Sequence, residues 1–285
     1  MRKFWGLVAL VWLAAAPAFA QPALWRAHDR DSEVFIFGGV HVLKPGTPWF
    51  DDDLAARFAK AERIYMEVSP ADRSETQRVS LRLGLLKPPE SLETRLPADL
   101  YARLPREVTR LGLPDEVVLR LRPWLATTML TLMQLSQMGY DANAGVEATL
   151  TARAGERPII ALERPEDGLG ILAGLEPEVE ARLVAASLAE FDGLDAAMTR
   201  VVSAWLAGDL DALEGAVLLE QFAELPELRG PLITDRNRKW ADTLATEVRG
   251  HSGTVFVAVG AGHLLGPDSL VRMLTDRGIA VERLR

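Results

Sequence analysis

Residues 254–263 read Thr-Val-Phe-Val-Ala-Val-Gly-Ala-Gly-His. The run from Thr254 to Val259 is apolar almost throughout and rich in β-branched side chains, so it predicts a strand covered on both faces rather than a half-wetted one. Gly260 and Gly262 then let the backbone turn sharply and come close to a ligand, and His263 arrives just past the strand end. The same pattern stands near the other end of the chain, where Glu33-Val34-Phe35-Ile36-Phe37 runs into Gly38-Gly39-Val40-His41. Two strands that each finish in Gly-x-x-His point to an α/β sheet with a site at the carboxyl ends of its strands, where open sheets bind ligands.

Working outward, Ala23–His28 and Glu33–Phe37 are strand-like and separated by Asp29-Arg30-Asp31-Ser32, a turn composition, which predicts a hairpin. A helix is expected over Asp51–Ala61, whose leading aspartates suit a helix N-terminus, followed by a strand over Glu62–Val68. From Ser91 to Tyr140 the pattern becomes Leu-rich and helical, punctuated by Pro97, Pro105, Pro114 and Pro123. This reads as a helical subdomain, about 91–155, that roofs the cleft. Arg157–Leu162 returns to strand character and Glu176–Leu219 to helix, with breaks at Gly193 and Gly208. Ile233–Val248 predicts a helix with Ile233, Trp240, Leu244 and Val248 on one apolar face; a helix over Asp268–Arg277 and a strand over Ile279–Leu284 close the chain.

Composition narrows the function. The formal net charge is −8, from 32 Lys+Arg against 40 Asp+Glu, and no long basic run offsets it, so nucleic acid is not the expected partner. There is no Cys, which excludes disulfides, thiolate metal sites and a cysteine nucleophile. Residues 1–20 read as an export signal: Arg2 and Lys3, an apolar run from Phe4 to Ala16, then Ala18-Phe19-Ala20 as the cleavage site. A mature chain of 21–285 in the periplasm or medium is expected, as one domain without a stable membrane anchor, because no later stretch is long enough to span a bilayer.

The chemistry follows from where polar residues meet the strands. Glu67 closes Ile64-Tyr65-Met66 and Glu163 follows Ile159-Ile160-Ala161-Leu162, so two histidines, His41 and His263, could converge with two carboxylates. Imidazole and carboxylate together suit a divalent ion such as zinc, manganese or cobalt, and three protein ligands leave a position for water. Arg236 and Asn237 lie one turn before Trp240 and point partly inward, where an Arg needs a carboxylate or a developing oxyanion as partner. Plainer readings stand beside each. A histidine at a strand end is often structural, Glu67 could be a solvated last residue, Glu163 could pair with Arg164, and Arg236 could belong to the surface cluster 235–239. His28 and His251 read as structural or exposed.

These segments together resemble the TraB/GumN family, which is related to the Tiki proteases and more remotely to erythromycin esterases and ChaN-like haem-binding proteins. The resemblance rests on the hairpin, IYMEV (64–68), Gly139-Tyr140-Asp141 with Gly145-Val146-Glu147, Ile160–Glu163, Arg236-Asn237 and, above all, Val257–Leu264. It implies a central mixed β-sheet flanked by helices and a metal-dependent hydrolase, a peptidase acting on a peptide or protein substrate. It implies His41 and His263 as site histidines, Glu67 as the acid that ligates or moves protons, Arg236 and Asn237 as the polar pair on the late helix, and Glu147 and Glu163 as weaker matches. One departure is visible: the family often carries Thr or Ser where Gly39 stands, so a hydroxyl is missing. A soluble form without the carboxyl-terminal anchor of the animal Tiki proteins is also expected. Two other readings stay open, a non-catalytic protein that binds a peptide, haem or another small ligand, and a secreted factor that docks a partner through its helical middle. The substrate, the metal and the oligomeric state are not legible at this level.

Overall fold

The computed structural model describes residues 21–285, apart from the side chain of Asp115; the expected export signal lies outside the described residues. Six strands of the described residues form one mixed sheet: β1 (Leu24–His28), β2 (Ser32–Gly39), β3 (Arg63–Met66), β4 (Ile159–Ala161), β5 (Gly253–Gly260) and β6 (Ala280–Arg283), in the order β4-β3-β5-β2-β1-β6. β4, β3, β5 and β2 run parallel, while β1 is antiparallel to both β2 and β6. The fold is α/β with a central mixed sheet flanked by helices.

The apolar runs become central strands because both faces of the sheet are covered. Phe35, Phe37, Ile64, Met66, Phe256 and Ala258 face one core. Their alternates Val34, Ile36, Tyr65, Val255, Val257 and Val259 face another, closed by Trp240, Leu244 and Val248 of the helix Asp235–Gly250. A period of two with both phases apolar reads as a continuous hydrophobic run, which is why β5 stands out in the sequence. β2 and β5 pair from Ser32 opposite Gly253 to Gly39 opposite Gly260, so both glycine ends reach the same rim.

The helical middle has its own apolar cluster. Short helices between Leu92 and Val118 and the helix Pro123–Gln137 pack through Leu92, Leu104 and Leu130 against Val184 and Phe191. Val146 and Leu150 of the helix Val146–Arg153, with Ala154 just after it, instead join the core under the sheet. The helical cluster therefore stops near Gln137 and takes in the helix Pro177–Glu190, rather than running continuously to residue 155. Two helices that the sequence pattern does not announce, Arg73–Gly84 and Pro165–Ala173, lie against each other. Among the described residues no helix is long and apolar enough to cross a membrane.

Candidate functional site

The parallel strands end side by side, and their carboxyl ends carry the candidate residues in spatial order. Glu163 follows β4, Glu67 follows β3, His263 follows β5 and His41 follows β2. The β3–β4 pairing continues past both strands, through Leu162 N to Met66 O at 2.8 Å and Glu163 N to Glu67 O at 3.0 Å, which sets the two carboxylates next to each other. Because Gly39 lies opposite Gly260, the two Gly-x-x-His segments are offset by one residue, and His41 leaves the sheet one position earlier than His263.

Gly260 is the pivot. Its N–H donates to Glu67 Oε1 at 2.6 Å. A Cβ at this position would stand 3.1 Å from Glu67 Oε1, 3.4 Å from His41 Nε2 and 3.6 Å from His263 Cδ2, so the three side chains close around one point beside this glycine. Gly145 plays the same part on the other wall, where a Cβ would fall 2.0 Å from the His41 carbonyl oxygen. That close approach, with Val146 N donating to Val40 O at 3.1 Å, brings Glu147 to His41. Glu147 Oε1 lies 3.0 Å from His41 Nδ1, yet it is buried without a well-aligned hydrogen bond.

His263 is buried, and its neighbours define its proton. Asn237 Nδ2 donates to the carbonyls of His263 and Asp268 at 3.0 and 2.8 Å, so Asn237 Oδ1 faces His263 Nδ1 as an acceptor at 2.7 Å. Nδ1 then carries the proton and Nε2 presents its lone pair. That nitrogen lies 3.7 Å from Glu67 Oε1 and 3.2 Å from Arg236 Nη1. Burial pushes the His263 imidazole down to about 4, so the ring is neutral at pH 7.

Arg236 ties the row together from within, its side chain only 15% exposed. Nε and Nη2 grip Glu163 bidentately at 2.9 Å each, Nη2 also reaches Glu67 Oε2 at 2.7 Å, and Nη1 reaches Leu232 O at 3.0 Å besides His263. A guanidinium has five N–H donors, and all five are engaged, so Arg236 orients the carboxylates and has no donor left over for a substrate oxyanion. The neighbouring Arg164 pairs with Asp167 instead of Glu163. Trp240, legible in the sequence only as an apolar-face residue, packs against both partners, 4.6 Å from the Arg236 guanidinium and 4.4 Å from the tilted His263 ring. Trp205, for which the sequence offers no signal, donates Nε1–H to Gly38 O at 2.8 Å and pins the end of β2.

The charges are strongly coupled. Burial pushes Glu67 up, but His263, Arg236, His41 and the Gly260 N–H outweigh it and hold the carboxylate well below the usual range. Burial likewise raises Glu163 against the pull of Arg236. The Glu147 charge and contact push His41 up; because the His41 side chain is 65% exposed, water screens part of that attraction. His28 sits in β1, and His251 lies 3.5 Å from Glu62, away from the rim. Among the described residues no three His, Asp or Glu side chains are arranged to close on a metal ion as they stand. The Arg236 contact to His263 Nε2 occupies the direction such an ion would need.

A model of the TraB/PrgY/gumN family matches residues 23–283. An uncharacterized protein of Treponema pallidum (strain Nichols) is 26% identical over 274 residues, covering 89% of this chain and 80% of the relative. No solved structure matches significantly.

Proposed function

The chain belongs to the TraB/PrgY/gumN family, and from that premise and the rim geometry we propose that it is an exported metal-dependent hydrolase acting on peptide bonds. A divalent ion, zinc, manganese or cobalt, would be held by His41, His263 and Glu67. The observation that carries this reading is the convergence of His41 Nε2, Glu67 Oε1 and the His263 ring on one point beside Gly260. The donor set fits such an ion: two imidazoles and a carboxylate, with Asn237 hydrogen-bonded to Nδ1 of one ring and the Glu147 carboxylate near Nδ1 of the other, the kind of outer partner that ligating histidines have. Taking up the ion requires Arg236 to release its one hydrogen bond to His263.

When bound, the ion supplies a water acidic enough to ionise near neutral pH and polarises the scissile carbonyl. Glu67 is kept ionised, which would suit it to hold the ion. A carboxylate held that low is a weak base, so charge stabilisation carries more of the rate than proton transfer does. Arg236 and Glu163 act as positioning residues that hold Glu67 in place.

The test is elemental analysis of the purified protein alongside His41→Ala and His263→Ala. About one divalent ion per chain, lost in both variants together with chelator-sensitive peptidase activity, supports the proposal; variants that bind metal as well as the wild type overturn it. The contact that satisfies His263 Nε2 without any ion favours a second reading, a binding protein that uses the same rim for a peptide, haem or another small ligand. A co-purifying chromophore with a Soret band, without metal-dependent turnover, would decide for that one.

A further inference from the structure

The row Glu163, Glu67, His263, His41 has unlike surroundings at its two ends. Beyond Glu163 lies a cavity of about 250 Å³ lined by charge, with Asp167, Asp235, Arg236 and Lys239 around Trp240. Beyond His41 lies an open groove of about 580 Å³ whose walls are mainly apolar. It starts at Val42, the residue after His41, and runs between that loop and the end of the helix Pro123–Gln137, over Leu132, Leu135 and Tyr140. Leu135 and Tyr140 are buried, but Leu132 is 49% exposed at the groove, a large apolar side chain left open beside a site. The groove is rigidly joined to the rim. Leu43 and Asp141 exchange both backbone hydrogen bonds across it, at 3.2 and 2.9 Å, and Gly145 seats the following helix on the His41 carbonyl.

The distance across the rim suits an extended chain. Three strand spacings separate β4 from β2, roughly 14 Å, which is the length of about four extended residues. A peptide lying across the strand ends would thus present one side chain to the charged cavity and another, a few residues away, to the apolar groove.

We propose that the groove beside His41 seats an apolar side chain of an extended peptide and that Leu132 is the residue that sets this preference. This rests on the reading of the chain as acting on peptides. One well-placed apolar contact discriminates by about 10- to 200-fold.

The experiment uses fluorescein-labelled heptapeptides of glycine and serine that carry one variable residue, Leu, Phe, Asp or Lys, with binding followed by anisotropy. On the wild type, the Leu and Phe peptides should bind about tenfold more tightly than the Asp and Lys peptides. Leu132→Lys should reduce that preference to within about twofold, and Leu132→Ser should weaken it without adding charge. Leu219→Lys, at a 59% exposed leucine that does not line the groove, should keep it. A wild type without preference, or an L132K protein that retains it, overturns the proposal. Cleavage is scored in parallel by mass spectrometry. Preference without cleavage counts against the hydrolase and for the groove; cleavage without preference counts the other way.

Discussion

Asn237 Oδ1 stands 2.7 Å from His263 Nδ1, while the amide nitrogen of the same side chain is committed to two backbone carbonyls. The amide is therefore locked in one orientation, and it locks the imidazole in one tautomer with Nε2 turned toward Glu67 and Arg236. Asn237→Asp would set a carboxylate oxygen against those carbonyls and offer the ring a negative charge. The expected loss of stability is on the order of 3 kcal/mol, as buried polar atoms lose their partners. The His263 imidazole should also protonate at higher pH. Urea unfolding and ring nitrogen shifts read the two effects separately, and an unshifted imidazole would contradict the assigned hydrogen bond.

Arg236 sits between two carboxylates whose side chains are only 16% and 8% exposed, Glu67 and Glu163. Removing the cation leaves both without compensation, so Arg236→Met should cost about 3–5 kcal/mol and let Glu67 titrate at higher pH. Adding Glu163→Gln should recover part of that loss, because one of the two stranded charges is gone. A double-mutant cycle by urea unfolding measures the coupling; strictly additive effects would mean the bidentate pair contributes nothing of its own.

Much of the sheet was legible because burial on both faces leaves an uninterrupted apolar signature, as in TVFVAV of β5 and EVFIF of β2. The helix Arg73–Gly84 was not, since only Val79 and Gly84 are buried and no apolar stripe marks it. His41 and His263 were found through their glycines, whose need is geometric and local. What spacing could not reveal was pairing across long separations: that Arg236 reaches Glu163 while Arg164 turns to Asp167, and that the guanidinium uses every donor. The one-residue offset between the two Gly-x-x-His segments was equally hidden, because strand register is set by partners far apart in the chain.

Gly39 is small because Glu147 is close. A Cβ there would stand 3.0 Å from Glu147 Oε1 and 3.1 Å from Val146 Cβ. Gly39→Ala should therefore cost about 1–3 kcal/mol through crowding and push Glu147 away from His41, so that His41 titrates lower than in the wild type. Gly39→Ser meets the same crowding but brings a hydroxyl that can donate to Glu147 Oε1, which lacks an aligned hydrogen bond. The serine variant should then be the more stable of the two. Following the His41 ring proton by NMR against pH, with thermal unfolding alongside, checks the order; equal stability would show that the hydroxyl makes no bond.

Acid should destabilise the protein in two stages with different owners. Between pH 6.5 and about 4 an imidazole in the unfolded chain takes a proton that buried His263 refuses. The unfolded state binds more protons there, so stability falls as pH falls through that window, by an amount on the order of 3 kcal/mol. Below about 4.5 the same sign applies to Glu67, whose folded carboxyl stays ionised after unfolded carboxylates have begun to protonate. His41 works the other way. Its raised pKa contributes stability that is full below pH 6.5 and is lost as pH climbs through the folded value, and its exposure keeps that contribution small. Urea unfolding at pH about 7, 5.5 and 4.5 should thus give a falling series for the wild type and a nearly flat one for His263→Gln, which has no proton to take up. Glu67→Gln should keep the fall between pH 6.5 and about 4 and remove only the part below it. If H263Q proved as acid-labile as the wild type over the first window, the proton-linked loss would belong to other groups and the buried, neutral imidazole would be the wrong description of this rim.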